Sequence, residues 1–101
     1  MTSSKTLTLL GFCRKAGKLT VGTEKVTELI KSNIYALVMV GKDISLKTEK
    51  ELNFFAKDKK AVVIRLDYSL EEISHAIGIK AGVVATTDKG FCKAILQGGN
   101  C

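Results

Sequence analysis

The sequence predicts an α/β chain folded as a three-layer α/β/α sandwich around a mixed or parallel sheet. Three observations lead there. Short runs rich in β-branched residues recur at 36–40, 61–66 and 83–86. Segments with helical periodicity separate them, and the connections are short in a chain that has no proline at all. Strands and helices that alternate at this length bury a sheet between two layers of helices.

The first helix is read from Leu7, Leu10 and Arg14 with Leu9, Phe12, Cys13 and Ala16. Ser3 or Ser4 is placed to cap it and Gly17 to end it. Gly22-Thr23-Glu24 opens the second, whose apolar stripe is Val26, Leu29 and Ile30. Ala36-Leu37-Val38-Met39-Val40 has no alternation, which predicts a strand covered on both faces, and most of Ala61 to Leu66 reads the same way. Between them, Ser45 or Thr48 can cap a third helix that buries Leu52, Phe55 and Ala56. Ser69-Leu70-Glu71-Glu72 has capping-box spacing and starts a fourth through Ile73 and Ile77, with Gly78 as its stop. Val83 to Thr86 follows as a strand. Asp88 then caps a last helix carrying Phe91, Ala94, Ile95 and Leu96, and the tail Gln97-Gly98-Gly99-Asn100 is expected to fray.

With 101 residues the chain has length for one domain, 1–101, and one core. No apolar stretch approaches the roughly 20 residues that cross a bilayer, so no membrane role is expected. Met1-Thr2-Ser3-Ser4-Lys5 lacks the parts of a secretory signal. Cys13, Cys92 and Cys101 are odd in number and form no C-x-x-C pair, which argues against a disulfide framework and against a zinc site. A cytoplasmic protein, acting as a monomer, with neither metal nor cofactor, fits these features.

Charge points to the partner. Sixteen Lys and Arg face ten Asp and Glu, a net charge of +6. Up to Lys31 there are six basic residues (Lys5, Arg14, Lys15, Lys18, Lys25, Lys31) and two acidic ones (Glu24, Glu28), so four of the six net charges sit in the first third. An uneven basic footprint favours a polyanion, because each phosphate neutralised releases condensed counterions. The Gly22-led start of the second helix adds unpaired N–H groups and the positive end of the helix dipole, a landing surface for phosphate. Arg14, Lys15 and Lys18, near the end of the first helix, can reach the same ligand. The loop Gly78-Ile79-Lys80-Ala81-Gly82 can set Ile79 against an unstacked base while Lys80 meets phosphate.

Catalysis finds little support. His75 lies within the fourth helix and reads as a surface residue. Cys13 and Cys92 sit among apolar neighbours and read as buried thiols. Glu71 and Glu72 are adjacent on one helix, so they diverge and serve the helix dipole. Asp43 and Asp67 follow strands without an evident partner. Gly11 to Leu19 has the outline of a P-loop, but five residues separate its glycines, Leu19 stands where the magnesium-binding hydroxyl belongs, and a helix precedes it.

Taken together, Gly11 to Gly22, Gly22-Thr23-Glu24, Ala36 to Val40 with Asp43 beyond, Gly78-Ile79, and Thr87-Asp88-Lys89-Gly90-Phe91 resemble, in order and spacing, the L7Ae/L30e family of ribosomal and RNA-binding proteins. The small bacterial L7Ae-like members of the YlxQ type are the most similar in outline. The resemblance implies an L30e-like sandwich and binding to kink-turns, sharply bent RNA helices with tandem G·A pairs, on ribosomal or another structured RNA, with the ribosome itself among the partners it implies. It assigns the G·A contact to Gly22, Thr23, Glu24 and Lys25. Cover of an extruded nucleotide falls to Ile79, Lys80, Ala81 and Gly82. Many kink-turn binders carry Asn-Glu after Gly-Thr and a lysine three residues later, where this chain has Glu24, Lys25 and Glu28. A carboxylate at position 24 still accepts from guanine amino groups. Two other roles compete with RNA binding: a protein-interaction module of the same fold, and a small enzyme using Cys13 or His75.

Overall fold

A computed structural model describes residues 4–99 and shows five helices and four strands in the order α1 (Ser4–Lys15), β1 (Thr20–Val21), α2 (Thr23–Lys31), β2 (Ala36–Val40), α3 (Leu46–Ala56), β3 (Ala61–Arg65), α4 (Leu70–Ile77), β4 (Val83–Thr86), α5 (Lys89–Gly99). The expected cap Ser3, the side chain of Ser4, Asn100 and Cys101 lie outside the described residues. α5 continues to Gly99, through three of the four residues expected to fray.

The strands form one sheet in the order β1-β4-β2-β3, so the sheet is mixed. β2 and β3 pair in parallel across the α3 crossover, whereas β4 runs antiparallel to both β2 and β1. Alternation along the central strands divides the core. Leu37, Met39 and Val84 face a layer built from Leu10, Ile73, Ile77, Cys92 and Ile95 of α1, α4 and α5. Ala36, Val38, Val40, Val83 and Ala85 face Val26, Ile30 and Leu52 of α2 and α3. All five β2 residues are buried, as an unbroken apolar run predicts for a central strand. β3 departs from that expectation: Val62 is 46% exposed, because β3 is an edge strand that its helices cover only in part. No helix among the described residues is long and apolar enough to cross a membrane.

Local signals fix the helix ends. Beyond α1, the Lys18 amide donates to the Cys13 carbonyl and the Gly17 amide to the Arg14 carbonyl, both 3.0 Å, with Gly17 at φ +72°. This paired pattern closes a helix on a left-handed residue, so the P-loop outline is a helix stop. Ser45 accepts from the Thr48 amide at 3.2 Å, and Ser69 and Glu72 complete the capping box of α4. Gly78 ends α4 in the left-handed conformation. Asp43, without a partner in sequence, accepts from the Leu70 amide at 2.8 Å and so ties the β2–α3 loop to the start of α4.

Asp88 caps α5 by accepting from the Phe91 amide at 2.9 Å, and it pairs with Lys18 at 3.2 Å. The Phe91 amide first, and Lys18 after it, hold the carboxyl below its ordinary value of 3.8. A depressed carboxyl stabilises the fold above its unfolded pKa, and that contribution is lost as pH falls through the folded value. Asp88→Asn keeps an oxygen for the cap and removes the charge. Its thermal midpoint is expected to lie below wild type at neutral pH, with the gap closing as pH falls below the ordinary aspartate range; a gap independent of pH would exclude the charge as its source.

Candidate nucleic-acid interface

The α2 helix begins without a side-chain cap. Gly22 occupies the N-cap at φ 101°, ψ 146°, its amide donating to the Val83 carbonyl at 2.9 Å and its carbonyl accepting from Val26 at 3.0 Å. Side chains of Ser45, Ser69 and Asp88 cap α3, α4 and α5, but nothing performs that task for α2. The first-turn amides of Thr23, Glu24 and Lys25 therefore face outward at the positive end of the helix dipole, and all three residues are exposed.

Pairing of β1 with β4, Val21 opposite Val84, seats this helix start beside the α4–β4 loop. The outcome is an open groove of about 410 Å³ lined by Arg14, Leu19, Thr20, Val21, Lys25 and Ile79. Arg14 comes from the last turn of α1. Its guanidinium donates to the Ile77 carbonyl at 3.0 Å, which at once satisfies the C-terminal end of α4 and fixes a cation at the groove wall. Ile79 is 43% exposed and Lys80 beside it is exposed, an apolar surface next to a cation. Such a surface accepts an unstacked base with its phosphate.

Other predicted residues take different places. Ala81 and Gly82 are buried. The Ala81 amide donates to the Ser74 hydroxyl at 2.9 Å, and the Gly82 carbonyl accepts from Gly41 at 2.8 Å, so this pair anchors the loop from beneath. Lys18 lies at the other end of the β1–β4 pair, beside Thr86, with its ammonium held by Asp88. Lys15 is exposed in a neighbouring groove between α1 and α4. Leu19, Thr20 and Val21 line the site although sequence reasoning passed over them; a β-branched pair between Gly17 and Gly22 was the available signal.

The residues weighed for catalysis are placed otherwise. Cys13 and Cys92 are buried and donate to the carbonyls of Lys18 and Thr86, and burial pushes both thiols above their ordinary range. Thiolate character is thereby suppressed. His75 is exposed on α4. Among the described residues no group of three His, Cys, Asp or Glu is placed to hold a metal ion.

Comparison with known proteins gives three findings. Residues 4–96 match the model of the ribosomal protein L7Ae/L30e/S12e/Gadd45 family. A solved structure of a protein with unknown function from Bacillus halodurans is similar with a TM-score of 0.87 at 24% identity, covering 97% of this chain and 99% of that one. The 15.5kD RNA binding protein of Giardia lamblia is similar with a TM-score of 0.74 at 13% identity, covering 98% of this chain and 85% of that one. No curated protein matches the sequence significantly.

Proposed function

The chain belongs to the ribosomal protein L7Ae/L30e/S12e/Gadd45 family, and from that premise we propose that it is a non-catalytic RNA-binding protein that recognises kink-turns in ribosomal or another structured RNA. The observation that carries this reading is the groove itself. An uncapped helix start, two cations from different elements and an exposed isoleucine meet on one surface. The similarity to a Giardia lamblia protein described as RNA binding supports it.

In this reading the α2 start enters the groove of the RNA at its tandem G·A pairs. Glu24 accepts from guanine amino groups, and Lys25 donates to base edges or phosphate. Arg14 and Lys80 neutralise phosphates on either side of the bend, while Ile79 covers an extruded base. Glu28, exposed one turn beyond Glu24, stands where many kink-turn binders have lysine. The protein then works in the cytoplasm, as a monomer associated with ribosomal RNA.

Titration against a kink-turn, and against the same RNA with its G·A pairs replaced by Watson–Crick pairs, tests the specific claim. The replacement is expected to weaken binding on the order of tenfold or more, since each lost base contact costs about 1–3 kcal/mol. Equal affinity for both RNAs would leave a general basic surface in place of kink-turn recognition.

A protein-interaction role draws on a different face. Leu46 and Phe54 of α3 are 63% and 73% exposed and line a groove of about 620 Å³ with Lys47, Lys50, Glu51 and Phe55. Exposed apolar surface of this kind marks protein contacts. A partner retained after nuclease treatment, and lost on Phe54→Ala but not on Lys25→Ala, would favour that role.

A further inference from the structure

We propose that Ser74 is a positioning residue for RNA recognition, its hydroxyl holding the α4–β4 loop in the conformation that presents Ile79 to an extruded base. This rests on the RNA-binding reading and adds to it a residue that acts through Ile79 and not on the RNA itself.

The loop has two fixed ends and an open middle. At its start the Gly78 amide donates to the Ser74 carbonyl at 2.9 Å, with Gly78 left-handed, and Arg14 donates to the Ile77 carbonyl at 3.0 Å. At its end the Gly82 carbonyl accepts from Gly41 at 2.8 Å, and Ala81 is buried in the core cluster that includes Ile73 and Ile77. Ile79 and Lys80 lie between, both exposed, and neither makes a hydrogen bond among the described residues. Two exposed residues without bonds of their own keep one conformation only as far as the residues on either side are tied together.

Ser74 supplies that tie. Its hydroxyl donates to the Ala81 carbonyl at 3.1 Å and accepts from the Ala81 amide at 2.9 Å, so one side chain closes the loop from seven residues away. With its own carbonyl on Gly78, Ser74 bonds both ends of the segment 78–81. A serine hydroxyl inside a helix commonly turns back to the carbonyl one turn earlier, but this one reaches forward and off the helix. Serine is also a poorer helix former than alanine, so α4 gains nothing from it as a helix. The gain lies in the loop. Without the hydroxyl, the amide and carbonyl of buried Ala81 would lose these partners. A loop already held in its binding conformation binds more tightly, because its ordering is not subtracted from the binding free energy.

The test uses a kink-turn RNA with its extruded nucleotide intact and the same RNA with that nucleotide abasic, against wild type, Ser74→Ala, Ser74→Thr and Ile79→Ala. Wild type is expected to bind the intact RNA about fivefold tighter or more, and Ile79→Ala to lose most of that preference. Ser74→Ala should cut the preference to about twofold or less while its affinity for the abasic RNA stays within about twofold of wild type; Ser74→Thr, which keeps the hydroxyl, should retain it. In the free protein, hydrogen exchange at the amides of residues 79–81 should quicken about tenfold or more in Ser74→Ala. Ser74→Cys, with a weaker donor of similar shape, carries the same test if the alanine variant does not fold. If Ser74→Ala keeps the wild-type preference, weakens both RNAs equally or leaves exchange unchanged, this inference fails alone. If wild type binds both RNAs alike, the cover by Ile79 fails and this inference with it. If wild type binds neither, the RNA-binding reading itself has failed.

Discussion

Exchanging Lys25 and Lys80 for alanine is expected to weaken binding to a kink-turn by about tenfold each, and the double variant by about a hundredfold if the two act independently. Lys25 sits on the first turn of α2 and Lys80 beside Ile79, on the two elements that face each other across the helix-start groove. Each is exposed, so either can be removed with little effect on the fold. If each neutralises one phosphate, the slope of log affinity against log salt should fall by about 0.9 per substitution. Lys18→Ala is the internal contrast. That ammonium is already held by Asp88, 3.2 Å away at the other end of the β1–β4 pair, so its loss should lower stability slightly and leave affinity unchanged. Filter binding at several salt concentrations separates these outcomes. Unchanged slopes for both Lys25→Ala and Lys80→Ala would remove the groove from the RNA interface.

What could be read from the sequence follows how local the determining forces are. The Ser69–Glu72 capping box, the Ser45 and Asp88 caps, and the stops at Gly17 and Gly78 depend on atoms within a few residues of one another, and each was legible as a pattern. The β1 strand was not. Two residues carry no periodicity, and Thr20 and Val21 become a strand only because β4, more than sixty positions later, supplies the partner backbone. The antiparallel direction of β4 and the edge position of β3 were hidden for the same reason: they are decided by pairing across the sheet, where Ala61 to Ile64 look as apolar as β2 does. The site divides likewise. The open helix start at Gly22 was visible, since a glycine has no side chain to cap with. Diversion of Lys18 to Asp88 and anchoring of Ala81 by Ser74 and of Gly82 by Gly41 all depend on residues brought from elsewhere in the chain.

Gly22→Val is expected to cost about 1–3 kcal/mol of stability and, with it, most of the affinity for RNA. The cause is the backbone. At φ 101° and ψ 146° Gly22 lies in a region that residues with a Cβ essentially never enter, while a Cβ built there meets no atom within 4 Å. The strain is thus purely conformational, and it cannot be relieved by moving a neighbouring side chain. Relief requires the chain to turn differently between β1 and α2. That breaks the Gly22 amide's bond to Val83 and swings the first turn of α2 away from Ile79. For a chain of this size each kcal/mol lowers the thermal midpoint by roughly 4–8 °C. A comparison with Gly17 isolates the mechanism. At φ +72° Gly17 serves as a left-handed cap, a conformation that asparagine also tolerates, so Gly17→Asn should be nearly neutral. Asparagine gains no such licence at Gly22, and Gly22→Asn should cost stability and affinity together. If Gly22→Asn melted and bound like wild type, the turn would not be holding α2 in place. The landing surface for phosphate would then owe nothing to this glycine.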